Sequence, residues 1–243
     1  MNQDEIDYLN KYDSSKYQTP ITTVDIAIVT LHEQQLKVML AKRDKHPFKD
    51  AWALPGGFVD VKQDQTLEDT AHRKLFEKTG VKTPYLEQIY TVGNNSRDPR
   101  SWSITVVYMA LVSADLLNLH AQNASEQIQW FSLNELTQAD ELAFDHLDII
   151  NACKDRLRSK VEYTSLPVHL LAESFTLTEL QQAFEIILGT TLEKKSFRRR
   201  ILDAGILKET GEMKTGNNRP AKLYRYNGNK NNHFFNRNIE GAR

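Results

Sequence analysis

The chain has 243 residues, of which 40% are hydrophobic and 26% are charged, with a formal net charge of −1. These values are those of a soluble globular protein with one large domain or two ordinary ones. A lone cysteine, Cys153, excludes an internal disulfide, and a polar N-terminus without a long apolar run predicts neither a signal peptide nor a membrane helix, so we expect a cytoplasmic protein.

The charge is distributed unevenly along the chain. Residues 1–150 carry 14 Lys and Arg against 22 Asp and Glu, a net of −8, whereas residues 151–243 carry 17 against 10, a net of +7. An acidic first part and a basic second part predict two modules with different partners, the second of them a polyanion.

Alternating and β-branched stretches predict most of a sheet before residue 132. The lead-in over residues 1–20 has scattered tyrosines and no clear structure. The stretch 102–112, WSITVVYMALV, has the strongest strand pattern and is expected near the centre of the sheet. The other predicted strands cover residues 23–30, 36–41, 85–92 and 127–131.

The stretch 52–81 organises this first part of the chain. A short strand stops at Pro55, and two glycines then let the backbone turn where a side chain would clash. After a polar loop, Thr66 starts a helix as its N-cap, with Asp69 completing a capping box, and Gly80 ends it. A strand, a glycine turn and a helix in this order are typical of a site for a phosphorylated ligand.

This stretch resembles the signature of the Nudix superfamily. That signature consists of a Gly, five residues, a Glu, seven residues and then the pattern Arg-Glu-hydrophobic-any-Glu-Glu-any-Gly-hydrophobic. The matching positions are Gly57, Arg73, Leu75, Glu77, Gly80 and Val81. The resemblance implies helix carboxylates that hold divalent cations against a diphosphate. Here those three helix positions are Lys74, Glu77 and Lys78, and Gln65 replaces the loop glutamate in a loop two residues longer.

Two lysines in place of carboxylates oppose metal binding. At 4 Å and an effective dielectric near 20, one pair of unit charges interacts with about 4 kcal/mol, and a divalent ion doubles that. We therefore predict that the fold is kept, that no residue is catalytic and that no metal is bound. The alternative is an active Nudix hydrolase that recruits its metal ligands from elsewhere, cleaves ADP-ribose and carries an accessory nucleic-acid-binding domain.

Arginines are expected to line the predicted pocket. In the Nudix resemblance, an Arg at the position of Arg43 often faces ligand phosphate; the alternative is a solvated loop charge. The loop Arg97-Asp98-Pro99-Arg100 suits a phosphate or ribose, and the alternative is a salt bridge within the turn. The predicted ligand-binding residues are Arg43, Gly56, Gly57, Phe58, Arg73, Glu77, Arg97, Asp98 and Arg100.

A helical pattern from about Ala143 is expected to connect the two modules. Its apolar residues share roughly one face, namely Phe144, Leu147, Ile150 and Leu157. The isolated histidines are interpreted as structural or solvated rather than as metal ligands; they are His72, His146 and His169.

The second module has the pattern of a helix-turn-helix. Thr176 and Glu179 form a capping box at the start of a helix that ends near Leu188, and a short turn leads to a second helix over about residues 192–204. Predicted strands over 206–210 and 222–226 form a wing.

Cations on the second helix and in the wing are suited to a DNA groove and its phosphates. The alternatives are a basic helix solvated in an ordinary helical domain and a module that binds RNA or protein. The predicted DNA-binding residues are Thr191, Lys194, Lys195, Ser196, Arg198, Arg199, Lys214, Asn218, Arg219 and Lys222. The tail after Asn227 is expected to be polar and disordered, unless Phe234 and Phe235 fix it.

The two modules together resemble the Nudix-related transcriptional regulators of NAD metabolism, the NrtR family, over about residues 20–226. Besides the degenerate signature, the matching segments are Leu142–His146, Phe175–Leu177 with Glu179–Gln181, Phe197–Arg199 and Arg219–Ala221. The resemblance implies a homodimeric repressor of NAD biosynthesis or salvage genes. Such a repressor binds double-stranded operator DNA, is released by ADP-ribose or a related metabolite as effector, needs no cofactor and has no membrane partner.

The expected fold class is α+β, with an N-terminal Nudix-type α/β/α sandwich built on a mixed sheet and a C-terminal winged helix-turn-helix. The predicted boundaries are 1–150 for the ligand-sensing domain, 151–164 for a helical linker, 165–228 for the DNA-binding domain and 229–243 for the tail.

Overall fold

A computed structural model describes residues 1–82, 85–117, 127–137, 140–215, 219–228, 233–235 and 239. The helices are α1 (Gln3–Lys11), α2 (Leu67–Thr79), α3 (His146–Val161), α4 (Leu177–Leu188) and α5 (Lys194–Asp203). The strands are β1 (Ile21–His32), β2 (Gln35–Lys42), β3 (Trp52–Ala53), β4 (Gly56–Phe58), β5 (Tyr85–Asn94), β6 (Ser103–Leu111), β7 (Ile128–Ser132), β8 (Phe175–Thr176), β9 (Leu207–Lys214) and β10 (Ala221–Tyr226).

The first seven strands form one mixed sheet. Its main order is β3-β2-β1-β6-β5, with β4 added to β1 and β7 added to β2. Strands β1 and β6 run parallel over nine residue pairs, and the other pairs are antiparallel. Strand β6 lies between β1 and β5, and most of its side chains are buried, as its apolar sequence predicts.

Helices cover both faces of this sheet. On one face, Ala71 and Leu75 of α2 pack against apolar side chains of β1 and β6. On the other face, the buried stripe of α3 includes Ile149, Ile150 and Leu157 and continues into the core of the second domain. The predicted α/β/α sandwich on a mixed sheet is confirmed. None of the helices in the described part of the chain is long and apolar enough to cross a membrane.

Local capping chemistry fixes the helix ends that the sequence predicts. The Thr66–Asp69 and Thr176–Glu179 capping boxes are both present, with hydrogen bonds in both directions. Gly80 ends α2 with φ +69°, the left-handed conformation that glycine adopts without steric cost.

Two parts of the chain differ from the expectation. Residues 3–11 form α1, capped by the Asn2 side chain, which accepts from the Glu5 amide at 2.9 Å; none of its residues is buried, so no apolar stripe marked it in the sequence. Helix α3 begins at His146 rather than near Ala143, which leaves Phe144 before the helix. It continues to Val161, so the predicted boundary at residue 150 falls inside a helix.

The second domain is a winged helix. Helix α4 is capped by Gly189, and α5 follows with Glu193 as its N-cap and begins at Lys194, two residues later than expected. Strands β9 and β10 form the wing, and β8 adds to β10 as a third strand. Phe184 of α4 and Phe197 of α5 pack edge to face at 5.3 Å in the core.

Described residues of the C-terminal tail lie against the junction of the two domains. Phe234 forms a β-bridge with Thr164, just after α3. The amides of Phe235 and Ile239 donate to the carbonyls of Tyr163 and Glu162, at 2.7 and 2.6 Å. Ile239 is buried beside the turn that precedes α5. The predicted fixing of the tail by Phe234 and Phe235 is therefore present.

Candidate ligand cleft and nucleic-acid interface

The glycine turn before α2 brings backbone into direct contact with β1. A Cβ at Gly56 would lie 2.4 Å from the Asp25 Oδ1 and 2.4 Å from the Val24 carbonyl oxygen, a distance that no side chain tolerates. Gly57 has φ +151°, which L residues rarely adopt. The two glycines therefore open a cleft over the edge of β1 and β4.

The cleft collects seven of the nine residues predicted to bind ligand. These are Arg43, Gly56, Gly57, Phe58, Arg97, Asp98 and Arg100, and the further lining residues are Thr23, Asp25, Leu54, Phe144 and His146. Sequence reasoning missed the second group. Asp25 did carry a signal, because it is a charged residue inside an otherwise β-branched strand.

Arg97 forms a buried ion-pair network at the base of the cleft. It donates to both carboxylate oxygens of Asp145, from Nε at 2.9 Å and from Nη2 at 2.8 Å, and its Nη2 lies 3.6 Å from Asp25. Burial opposes its charge, but the bonds with Asp145 and the nearby carboxylates raise the pKa of Arg97 above its usual value. Arg97 therefore joins the loop to the start of α3.

Arg100 forms the salt bridge within the turn that was the alternative expectation. Its Nε and Nη2 bind Asp98 at 3.0 and 2.7 Å. The guanidinium also lies over the ring of Phe58, at 5.6 Å from the centroid. Arg100 is 40% exposed, so this pair does not prevent it from meeting an anion in the cleft.

Arg43 is the least compensated cation of the cleft. Its Nε donates to the carbonyl of Pro47 at 2.9 Å, and its guanidinium lies 4.8 Å from the Phe144 ring centroid. No described carboxylate lies within ion-pair distance of it. Burial and the charge of Arg100 lower the pKa of Arg43. An anion placed between the two arginines would relieve this repulsion.

Phe144 separates this cleft from neighbouring cavities. Its backbone has φ +56°, a left-handed conformation that costs a non-glycine residue on the order of 1–3 kcal/mol. The ring packs edge to face on Phe48 at 4.7 Å. The sequence predicted a helical position here, and the structure instead places a strained aromatic residue directly before α3.

Arg73 and Glu77 do not lie among the lining residues of the cleft, and their expected part in its floor stays a prediction. Arg73 instead donates from Nε to Asp64 at 2.9 Å and binds Glu77 at 3.2 Å. Asp64 is thus a loop carboxylate directly before Gln65, the residue that replaces the loop glutamate of the signature. These hydrogen bonds lower the pKa of Asp64 far below its usual value.

The donor set on α2 does not fit a divalent cation. Glu77 accepts hydrogen bonds from Lys74 at 2.9 Å and from Arg73. Burial raises its pKa, but these two cations lower it by more. Within the described ranges, no three His, Cys, Asp or Glu side chains form a group that could hold a metal.

His146 is a buried structural residue at the back of the cleft. The amide of Leu54 donates to its Nδ1 at 2.9 Å, so the ring proton is on Nε2, which lies 3.8 Å from Asp25. Burial lowers the pKa of His146. Its protonation would break the bond to Leu54, which ties α3 to β3 and the glycine turn.

A test of this assignment is the pH dependence of unfolding. The unfolded histidine takes up a proton near pH 6.5 and the folded one only at lower pH, so stability falls as pH decreases below about 6.5, by up to about 1.4 kcal/mol per pH unit. We expect denaturant unfolding from pH 7 to 5 to be less steeply pH-dependent in His146→Gln than in the wild type. In the exposed control His72→Gln, the free energy of unfolding should depend on pH as it does in the wild type. The same pH dependence in all three proteins would contradict the assignment.

The second helix of the winged helix presents a basic surface. Thr191, Lys194, Lys195, Ser196 and Arg199 are exposed, in agreement with a face free for a partner. Arg198, in contrast, is half-buried, and its Nη2 donates to the Thr178 hydroxyl of α4 at 3.2 Å. Arg198 therefore also joins the two helices of the motif, which the sequence did not indicate.

The wing adds three cations. Lys214 binds Glu179 at 2.5 Å and so links the wing to α4, Lys222 binds Glu209 at 3.0 Å, and Arg219 is exposed. Asn218 lies outside the described residues. These contacts place the basic wing on the same domain as the basic helix.

Fold and site together define a Nudix-type sheet domain with an arginine-lined cleft, followed by a winged helix. Family models agree: a NUDIX domain matches residues 21–153, and the NrtR DNA-binding winged helix domain matches residues 167–226. The chain belongs to the NrtR family.

Relatives of known function share this organisation. The "ADPR responsive transcriptional repressor NtrR" of Acinetobacter baylyi is 48% identical over 219 residues, which cover 90% of this chain and 87% of the relative. The crystal structure of Shewanella oneidensis NrtR with a 27mer DNA matches with a TM-score of 0.83 and 45% identity, over 89% of this chain and 98% of that chain. The crystal structure of the NUDIX domain of the same protein with ADP ribose matches with a TM-score of 0.56 and 45% identity, over 65% of this chain and 99% of that chain.

Proposed function

We propose that this protein is a repressor of NAD biosynthesis or salvage genes that leaves its operator when ADP-ribose or a related metabolite binds the cleft. The observation that carries the proposal is the 48% identity, over nearly the whole chain, to a repressor described as ADPR responsive. The arginine-lined cleft and the exposed basic helix α5 supply one surface for each of the two ligands.

The ligand would be held mainly by charge. Arg43 and Arg100 face the cleft and take the place of a metal ion against the diphosphate, because guanidinium groups bind phosphate oxygens in a bidentate manner. Gly56 and Gly57 allow the ligand to approach the backbone, and Phe58 and Asp98 complete the wall. Arg97 is proposed to shape the site through Asp145, since its own hydrogen bonds are already used.

Helix α3 is proposed as the mechanical connection. Asp145, the residue directly before it, binds Arg97 of the cleft, and near its other end Lys160 binds Glu87 of β5 at 2.7 Å. Its last turn packs into the core that the winged helix shares. A ligand that moves the start of α3 thus favours a different position of the winged helix.

The protein would act as a homodimer in the cytoplasm. Two α5 helices can enter successive major grooves only when they are about 34 Å apart. Ligand needs to favour a dimer geometry with another spacing by only 1–3 kcal/mol to give a useful response. The residues proposed to touch DNA are those predicted from the sequence, with the ligand-sensing domain over 1–150, the linker over 151–164, the DNA-binding domain over 165–228 and the tail over 229–243.

We also propose that the protein is not a hydrolase and needs no cofactor. The support is the chemistry of α2, where Lys74 and Arg73 already occupy the one remaining signature carboxylate, Glu77. Phosphorus NMR of ADP-ribose with the protein and magnesium would show AMP and ribose 5-phosphate if the alternative function held.

Fluorescence anisotropy tests the proposed function directly. A duplex selected by the wild-type protein from a random library should be bound, and ADP-ribose should release it in a saturable manner. ADP and ribose 5-phosphate, each with half of the ligand, serve as controls and should release it far less. Operator binding that ADP-ribose leaves unchanged at saturating occupancy would contradict the regulatory role.

A further inference from the structure

A second cavity adjoins the ligand cleft. The cleft itself has a volume of about 130 Å³, and the neighbouring cavity has about 440 Å³. The two share Arg97 and Phe144 as common lining residues. Pockets that bury a drug-sized ligand usually have a volume of roughly 300–1,000 Å³. The cleft alone is too small for a dinucleotide-sized effector, and the second cavity offers the missing room.

The two cavities differ in chemistry. The cleft holds Arg43, Arg97 and Arg100 against the two carboxylates of Asp25 and Asp98. The second cavity holds the carboxylates of Asp145 and Asp148 and no described cation other than Arg97, which Asp145 neutralises. A diphosphate is attracted by the first and repelled by the second. An elongated ligand with a charged centre and a neutral end is therefore oriented, with its neutral end in the second cavity.

The walls of the second cavity suit a planar aromatic group. Phe48, Tyr90 and Phe144 contribute rings, and Val92 and Ile149 contribute apolar surface. Burial raises the pKa of Tyr90 to about 12, so its hydroxyl is neutral at physiological pH. Aromatic side chains stack on nucleobases with on the order of 1–3 kcal/mol per base.

Asp148 supplies a directional contact. It lies in the first turn of α3, where it is exposed and lines the cavity. No described residue makes an ion pair or hydrogen bond to its carboxylate. An ionised carboxylate only accepts hydrogen bonds, so it needs a donor as its partner. The exocyclic amine of adenine is a donor, and a base without that amine would not supply this hydrogen bond.

We propose that the second cavity is the base subsite of the effector and that Asp148 selects a base with an exocyclic amine. This inference rests on the proposed function, because it assigns one end of the same ligand. It also explains how ligand could act on α3: the base would contact Asp148 and Ile149 in the helix itself and press on the strained Phe144 before it.

The test is a cycle of two ligands and three proteins, measured by isothermal titration calorimetry. The ligands are ADP-ribose and its analogue in which hydrogen replaces the exocyclic amine. The proteins are the full-length wild type, Asp148→Ala and the control Asp155→Ala, which removes the same charge from an exposed position two turns further along α3. Any effect of charge on helix stability alters the affinity of both ligands equally and cancels in the cycle.

We expect wild type and Asp155→Ala to bind ADP-ribose about tenfold more tightly than the analogue, since a hydrogen bond to a charged group contributes about that factor. In Asp148→Ala the two ligands should bind equally. A preference that persists in Asp148→Ala, or no preference in the wild type, would place the base elsewhere and overturn the subsite alone. No binding of ADP-ribose by the wild type would overturn the proposed function together with the subsite.

Discussion

Replacing Arg97 with glutamine is expected to destabilise the protein by roughly 3–5 kcal/mol, because the change leaves the buried Asp25 and the partly buried Asp145 without their cation. Arg97 is 5% exposed and bonds both oxygens of Asp145, and Asp25 is within 3.6 Å. Urea unfolding measures the loss. Because the same residue forms the base of the cleft, ligand affinity should fall together with stability.

The control for this change is Arg156→Gln. Arg156 also binds a carboxylate, that of Glu87, at 3.1 Å, but it is 44% exposed and Glu87 keeps Lys160 as a partner at 2.7 Å. No carboxylate is left uncompensated, so the expected loss is below about 1 kcal/mol. The double variant Arg97→Gln with Asp145→Asn should recover part of the stability that Arg97→Gln loses. Equal losses in the two single variants would mean that the Arg97 network does not hold the cleft.

Removing two exposed cations from α5 should weaken operator binding about a hundredfold while the fold stays intact. In the variant with Lys195→Ala and Arg199→Ala, two side chains one helical turn apart lose their charge, and neither contributes to the buried core. If both contact phosphates, the slope of log affinity against log salt should decrease by about 2, since each contact releases close to one counterion. Anisotropy titrations from 50 to 200 mM salt, conditions at which such slopes are measured, give both quantities.

Lys62→Ala removes a similar charge from the exposed loop before α2 and serves as the control; it should leave both the DNA affinity and the salt slope unchanged.

Arg198→Ala is a poorer test of DNA binding than the position of Arg198 in the sequence indicates. Because its guanidinium binds Thr178 of α4, this variant should also lower thermal stability. An unchanged salt slope in the variant with Lys195→Ala and Arg199→Ala would show that this face of α5 does not contact DNA phosphates.

Local rules made much of the fold predictable. Capping boxes at Thr66 and Thr176 and the glycine that ends α2 are determined by residues a few positions apart, so short stretches of sequence reveal them. The same holds for the strand pattern of β6. Helix α1 was not predicted, although the side chain of Asn2 caps its start; none of its residues belongs to the buried core.

The cleft was less predictable, because its contacts join distant parts of the chain. Arg97 was expected near ligand or in a turn salt bridge, but its partner, Asp145, is 48 residues away. By spacing, Gln65 replaces the loop glutamate of the signature, and the sequence did not indicate that the neighbouring carboxylate of Asp64 would bind Arg73. Phe144 could not be found by pattern at all: its left-handed backbone breaks the helical period to which it was assigned.

The contacts of residues 233–239 impose an order on biosynthesis. A ribosome completes the sheet, α3 and the winged helix before it makes the segment that binds the carbonyls of Glu162 and Tyr163. Since domains fold largely in the order of their synthesis, the joint between the two domains is completed only after both of them have been made. Ile239, which is buried, lies at this joint.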